Sequence, residues 1–144
     1  MHLTLREQTV LGLIAHGLSD RQIAMQLAIS LSTARKHREN LLSKFHVRKS
    51  AQLVAHYFAF GPSRQEINIS TGTGPPISAR EMEIIQLLLQ GLGDKEVGRK
   101  LGISDHTART HRANLLRKFG ASNVRALLYD AITSGWLAHP AIVS

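Results

Sequence analysis

The chain has 144 residues, 43% of them hydrophobic and 5% aromatic, with 18 Lys and Arg against 10 Asp and Glu, 8 His and no Cys. That length holds one domain of average size or two very small ones; no stretch approaches the roughly 18 apolar residues of a membrane span, and zero cysteine excludes a disulfide scaffold and zinc-finger or iron–sulfur ligation while fitting a reducing cytoplasm. The net charge of +8 points to a polyanionic partner, but does not by itself separate DNA, RNA and a membrane surface.

Sliding the sequence against itself at an offset of 74 residues aligns it without a gap. Arg6-Glu7 falls on Arg80-Glu81, Gly17-Leu18 on Gly91-Leu92, Leu27 on Leu101 and Ile29-Ser30 on Ile103-Ser104. From Thr33 to Phe45 only positions 36, 39 and 43 differ from their counterparts in Thr107 to Phe119. Ten identities in thirteen, in register with the rest, mark a duplication rather than two basic helices alike by chance. The predicted fold class is all-α, two tandem four-helix domains at 1–61 and 77–144 joined by a linker at 62–76.

In chain order, each copy opens with a capping box, Thr4-Leu5-Arg6-Glu7 and Ser78-Ala79-Arg80-Glu81, which satisfies orphan amides at a helix start. Val10, Leu11, Leu13 and Ile14, matched by Ile84, Ile85, Leu87 and Leu88, follow with helical spacing. Gly17 and Gly91 end that helix, as residues able to take positive φ. A second helix begins near Ser19-Asp20 or Asp94, carrying Ile23, Ala24 and Leu27, or Val97, Gly98 and Leu101. A three-residue step then leads to Ser30 and Ser104, natural N-caps for a third helix. The fourth helix spans about Ser50 to Phe60 and Asn123 to Thr133. Between the copies, the Gly, Pro, Ser and Thr content from Gly61 to Pro76 reads as a linker. Gly72-Thr73-Gly74 lacks the flanking strand, helix and third glycine of a nucleotide loop.

Two small helices joined by a tight turn, the second exposing basic and amide side chains, describe a helix-turn-helix. With Ala34 inward on the third helix, Leu41 and Phe45 share its face; Arg35, Lys36 and Glu39 fall opposite. The second copy puts Ala108, Leu115 and Phe119 inside and Arg109, Thr110 and Ala113 outside. A charged helical face is usually only a solvated one, but the charge here is concentrated. Ser30 to Lys49 holds six basic residues and one acid, net +5; Ser104 to Asn123 holds four and one, net +3. The rest of the chain balances, eight basic against eight acidic. Two matching helices that carry the whole excess look like phosphate-binding surfaces.

Leu3-Thr4-Leu5-Arg6-Glu7, Gly17-Leu18-Ser19-Asp20, Ile23-Ala24, Leu27-Ala28-Ile29-Ser30, Thr33-Ala34-Arg35, His37 and Asn40 resemble the LuxR-type (GerE-type) helix-turn-helix of bacterial transcription regulators. The second copy is similar through Ser78, Arg80-Glu81, Gly91, Asp94-Lys95-Glu96, Leu101-Gly102-Ile103-Ser104, Thr107, Arg109, His111, Asn114, Lys118 and Gly120. The resemblance implies recognition helices at 31–45 and 105–119 in the major groove of two half-sites, and a fourth helix that dimerises. It implies base-facing roles for Arg35, Lys36, Glu39, Arg109, Thr110 and Ala113. It also implies backbone contacts for Thr33, His37 and Lys44 and for Thr107, His111 and Lys118, beside which Arg38, Asn40, Arg112 and Asn114 are assigned to phosphate. Arg35 and Arg109 suit bidentate reading of guanine, and the differences at 36/110 and 39/113 predict non-identical half-sites.

The copies depart from the family at Ala34 and Ala108, where Val is usual, and at Gly93, where an N-cap Ser is usual. Gly98 inside the second helix costs about 1 kcal/mol relative to Ala. The second copy is therefore expected to be the weaker reader or a dimerisation element. The first helix begins so soon after Met1 that neither a signal peptide nor a sensor domain is expected ahead of it.

Ala51, Leu53, Val54, Tyr57, Phe58 and Phe60, and Leu127, Leu128, Ile132, Trp136 and Leu137, make the fourth helices apolar on more than one side. Such helices either close their own small core or find a second packing surface. Leu53, Val54, Tyr57, Leu127 and Leu128 are the dimerisation candidates, within one chain as a pseudo-dimer or between two chains as a homodimer. About fifteen linker residues reach roughly 50 Å extended, more than the roughly 34 Å between half-sites one DNA turn apart.

No metal or cofactor is expected: His106 and His111 are five apart and do not share a helical face, while His16, His56 and His139 are isolated. Nor does any constellation suggest an enzyme. The expected partner is double-stranded DNA, with RNA polymerase or another regulator beside it and no membrane, in the bacterial cytoplasm at the nucleoid. The family resemblance favours an activator. The competing reading is an interaction module that titrates another regulator through its fourth helices; retention of Arg35, Arg38, Lys44 and their counterparts argues for the DNA reader.

Overall fold

The computed structural model describes residues 2–60 and 74–135. Most of the expected linker, Trp136, Leu137, His139 and the Phe60 side chain lie outside the described residues. Eight α-helices run through the described part: α1 (Leu5–Ala15), α2 (Asp20–Leu27), α3 (Leu31–Lys44) and α4 (Leu53–Phe60), then α5 (Ala79–Leu89), α6 (Asp94–Leu101), α7 (Asp105–Phe119) and α8 (Val124–Thr133). A single 3₁₀ turn, Ser50–Gln52, precedes α4. No strand occurs among the described residues, so the all-α expectation holds.

Local chemistry sets the helix starts. Thr4 Oγ1 accepts from Glu7 N at 3.1 Å, and Glu7 Oε1 accepts from Thr4 N at 2.9 Å; Ser78 and Glu81 repeat both bonds. Ser30 and Ser104 cap α3 and α7 by accepting from Thr33 N and Thr107 N. Ser19 and Gln22 form a further box on α2. At its counterpart Gly93 there is no hydroxyl, and only the return bond from Gly93 N to Glu96 survives. Each such cap satisfies amides that would otherwise have no partner, worth about 1 kcal/mol.

The inward faces are those expected from the spacing. Val10, Leu11, Ile14, Ile23, Ala34 and Leu41 are buried in the first copy, and Ile84, Ile85, Leu88, Val97, Ala108 and Leu115 in the second. Within each copy the second and third helices pack together, α2 on α3 and α6 on α7, with the first helix closing the core.

The copies also pack against each other. Helix α8 lies against α4 and α1, and the 3₁₀ turn lies against α8 and α5. Gly17 faces the start of α8, where an added Cβ would stand 2.8 Å from Asn123 Oδ1 and 2.9 Å from Ala126 Cβ. Gly91 faces the equivalent place in the first copy, where a Cβ would stand 2.8 Å from Gln52 Cγ. Glycine is needed twice over at both, for this close approach and for φ of 95° and 90°. Since Gly91 and Ala126 lie 74 residues beyond Gly17 and Gln52, one contact is made twice about a pseudo-twofold. Along the seam Tyr129 stacks 4.0 Å from the His16 ring and lies 5.4 Å from Phe58 and 6.2 Å from Tyr57. Leu53, Val54, Leu127 and Leu128 are fully buried and Tyr57 nearly so.

Candidate nucleic-acid interface

A helix can offer a polar face to DNA only if its other face is anchored. On α3, Ala34, Leu41 and Phe45 are buried, which leaves Arg35, Lys36 and Glu39 exposed; on α7, Arg109, Thr110 and Ala113 are exposed. All six expected base-facing positions therefore sit on accessible surface. Arg35 has Asp20 3.8 Å away and Arg109 has Asp94 at 3.6 Å, and both guanidiniums are more than half exposed. Those loose contacts leave the planar donor fork free to turn toward a base edge.

The ten expected phosphate residues divide. His37, Asn40 and Lys44 come together with Thr4, Glu7 and Ser43 around a surface depression of about 530 Å³. Thr33 and Thr107 stand at the helix starts, each hydroxyl within 2.8 or 2.9 Å of the capping serine's Oγ. An N-terminus of this kind offers both a positive dipole end and donors to an anion. His111 and Asn114 are half-buried on the matching flank of α7, where Asn114 accepts from Arg117.

Four cations serve the fold as well. Arg38 donates to both carboxylate oxygens of Asp20, at 2.9 and 3.0 Å, and Arg112 to both of Asp94, at 2.8 and 2.9 Å. These bidentate pairs tie the second helix of each copy to its recognition helix and so fix the angle between them. Burial opposes ionisation of Asp94, but the stronger Arg112 bond holds its carboxyl below the usual range. Lys44 and Lys118 each reach a nearly buried carboxylate, Glu7 or Glu81, at 2.7 Å. The Lys44 ammonium and the Thr4 cap hold Glu7 low, while at Glu81 burial pushes upward and is overcome by Lys118 and the Ser78 amide.

These pairings revise the reading of charge along the sequence. The presence of Arg38, Lys44, Arg112 and Lys118 in both copies is accounted for by these contacts within the fold, so it is not by itself a mark of DNA binding. Arg35 and Arg109 make only the loose contacts to Asp20 and Asp94, and Lys36, Arg48 and Arg117 have no ion pair among the described residues. The two pairs stand 18 and 37 residues apart in sequence, beyond any local pattern. One signal could have found them: in each pair the acid and the base are both identical between the copies.

Arg125 is a further residue that no sequence pattern singles out. From the start of α8 it reaches into the first copy and donates to the carbonyls of Ile14 and Leu18, at 2.8 Å each. Asn123 beside it donates to Gly17 O at 2.7 Å. Together they fasten the second copy to the end of α1.

No group of three or more metal-ligating side chains exists among the described residues, and none of their helices is long and apolar enough to cross a membrane.

Comparison with known proteins agrees with this geometry. Residues 1–57 and 75–129 each match the family described as bacterial regulatory proteins, luxR family. The transcriptional regulatory protein UhpA of Salmonella typhimurium is 37% identical over 70 residues, 49% of this chain and 35% of the relative. MctR of Rhizobium johnstonii, also a transcriptional regulatory protein, is 38% identical over 60 residues, 42% of this chain and 28% of the relative. The response regulator protein TmoT of Ectopseudomonas mendocina is 29% identical over 101 residues, 70% of this chain and 44% of the relative. Each match takes in less than half of the relative's own length. No solved structure matches the chain.

Proposed function

The chain belongs to the luxR family of bacterial regulatory proteins, and from that membership we propose that it is a DNA-binding transcription regulator in which one chain presents both recognition helices, α3 and α7, to two half-sites of one operator. The observation that carries this reading is the repeated seam contact, Gly17 on Ala126 and Gly91 on Gln52. A pseudo-twofold between two readers matches the approximate palindromy of an operator read in adjacent major grooves.

Arg35, Lys36, Glu39, Arg109, Thr110 and Ala113 are the base readers. Thr33, His37, Asn40, Thr107, His111 and Asn114 meet the backbone, with Lys44 and Lys118 beside them, while Arg38 and Arg112 hold the reading helices at their angle. A module that titrated another regulator through its fourth helices would need their apolar side chains exposed, and Leu53, Val54, Leu127 and Leu128 are fully buried.

Sedimentation of the protein with operator DNA tests the reading. One chain per full site is expected, and two or more chains per site would overturn it. Electrophoretic shifts at two salt concentrations should show affinity falling steeply with salt, as release of counterions from phosphate demands. Selection from randomised DNA should return two non-identical half-sites, because Thr110 and Ala113 stand in the second copy where the first has Lys36 and Glu39; a perfect palindrome would sink that part.

A further inference from the structure

The pseudo-twofold is broken at one pair of positions. Arg125 of the second copy enters the first, where its guanidinium donates to Ile14 O and Leu18 O. The residue 74 positions earlier is Ala51, whose methyl cannot reach the matching carbonyls of Leu88 and Leu92. In its place lies a cavity of about 280 Å³ whose lining includes Ala51, Leu88, Gly91, Leu92, Asp94 and Arg112. All but Ala51 lie at the counterparts of what surrounds Arg125: Ile14, Gly17, Leu18, Asp20 and Arg38.

The carbonyl geometry is also repeated. Ile14 O accepts from Gly17 N at 3.0 Å and keeps a second lone pair for Arg125; Leu88 O accepts from Gly91 N at 2.9 Å. No side-chain donor to Leu88 O or Leu92 O occurs among the described residues. The ionic setting is repeated too: Asp94 is shared by Arg112 at 2.8 Å and Arg109 at 3.6 Å, as Asp20 beside Arg125 is shared by Arg38 and Arg35, while Lys49 pairs with Glu96 at 3.5 Å. By the repeat, Leu88 O and Leu92 O are the counterparts of the two carbonyls that hold Arg125, in a cavity also lined by Lys49, Asp94 and Arg112, and such a pair of acceptors suits a flat cation with several N–H donors.

We propose that this cavity is a binding site for a small monosubstituted guanidinium compound, which donates to Leu88 O and Leu92 O as Arg125 donates to Ile14 O and Leu18 O. Its alkyl arm would lie against Ala51 and Val124, and the bound cation would brace the second copy on the first from the side that Arg125 does not reach. Whatever it adds to the seam would also pre-organise the spacing of α3 and α7.

The test uses n-propylguanidine, an arginine side chain without its backbone, titrated calorimetrically into the whole protein, with n-butylamine as a control lacking the planar fork. One saturable equivalent at about millimolar concentration is expected, as befits so small a ligand, and no saturation with the amine. Ala51→Arg supplies the guanidinium covalently and should abolish the response while raising Tm; Arg125→Ala should bind two equivalents. Failure of the wild-type chain to saturate, equal binding of the amine, or an undiminished response in folded Ala51→Arg would each overturn the proposal. None of these readouts involves DNA, so the regulator reading stands or falls separately.

Discussion

At the turn after its second helix the first copy holds Ala28 in the left-handed region, φ 55°, where the second copy has Gly102 at φ 70°. The exchange recurs after the recognition helix, His46 at φ 56° against Gly120 at φ 61°. Elsewhere the advantage reverses: Ser19 caps α2 with its hydroxyl, and Gly93 leaves α6 without a side-chain cap. Across the seam Arg125 has a counterpart too short to return its bonds. The backbone conformation is therefore the same at positions where the residues best suited to it are not. Packing of the repeat imposes the left-handed turns and the close approaches, and side chains that suit them poorly are carried at a cost of about 1 kcal/mol apiece.

If the seam is held unequally, Arg125→Ala should show the largest effect. It removes two hydrogen bonds from a half-buried charged donor and should lower stability by about 2–3 kcal/mol, read from the urea midpoint. A loss below about 0.5 kcal/mol, within the noise of a surface change, would mean that the two sides of the seam hold equally well and that the asymmetry has no energetic content.

Next in size is a likeness between the copies. Lys44→Ala leaves the Glu7 carboxylate nearly buried and unpaired; because the lysine is itself partly exposed, the cost is about 1–2 kcal/mol, below that of a fully buried pair. Lys118→Ala should cost about the same. Adding Glu7→Gln should recover part of the Lys44→Ala loss, and an unaltered loss would reject the pairing as its cause. Acid unfolding gives a second reading. Glu7, Glu81 and Asp94 are held below the usual carboxylate range, so their contribution is complete at neutral pH and is lost as pH falls through those lowered values. His56, lowered by burial, adds an earlier loss: below about 6.5 the unfolded chain takes up a proton that the folded one does not. The acid limb should flatten in Lys44→Ala, while the loss near 6.5 stays.

Helix boundaries, caps and the inward face of each helix were legible in the sequence because they depend on residues three or four apart. Ser30 and Ser104, Thr4 with Glu7, and Ala34 with Leu41 are such cases. The duplication made them more legible still, since each copy corroborates the other. What the sequence hid is non-local. Arg38 and Lys44 are readable as basic but not as partners of Asp20 and Glu7, so in the sequence their charge reads as phosphate-binding surface although part of it closes the fold. Arg125 was hidden further, because its partners are backbone carbonyls, which leave no trace in side-chain pattern. The apolar excess of the fourth helices was legible; that Tyr129 would meet His16 and Phe58 of the other copy was not.

A smaller effect follows from the left-handed turns. Ala28→Gly and His46→Gly should each stabilise the first copy by about 0.5–1 kcal/mol, the relief of the turn exceeding the entropy that glycine adds to the unfolded chain. Gly102→Ala and Gly120→Ala should destabilise the second by a similar amount. Thermal unfolding of the four variants checks both signs. If the first pair lowered Tm, the two turns would not be conformationally equivalent.

The smallest effect is expected at Gly98, and there two principles oppose each other. Helix propensity alone gives Gly98→Ala a gain of about 1 kcal/mol. Yet a Cβ added there would stand 2.7 Å from Ile103 O and 3.2 Å from Ser104 C, a backbone overlap that no rotamer can relieve. In the first copy Ala24 fills the same position and is buried, so the turn stands off from α2 by the distance a methyl group requires. In the second copy the turn has settled closer. Relieving the overlap pushes residues 103 and 104 away from α6, and Ser104 is the N-cap of α7, so the displacement passes to the recognition helix. Crowding and propensity should nearly cancel, leaving stability within about 0.5 kcal/mol of the wild type, while affinity for the half-site read by α7 falls more than for the other. A gain of the full propensity term, with half-site preference unchanged, would mean that the turn in the second copy is as loose as in the first, and that any difference in reading between α3 and α7 comes from their own residues.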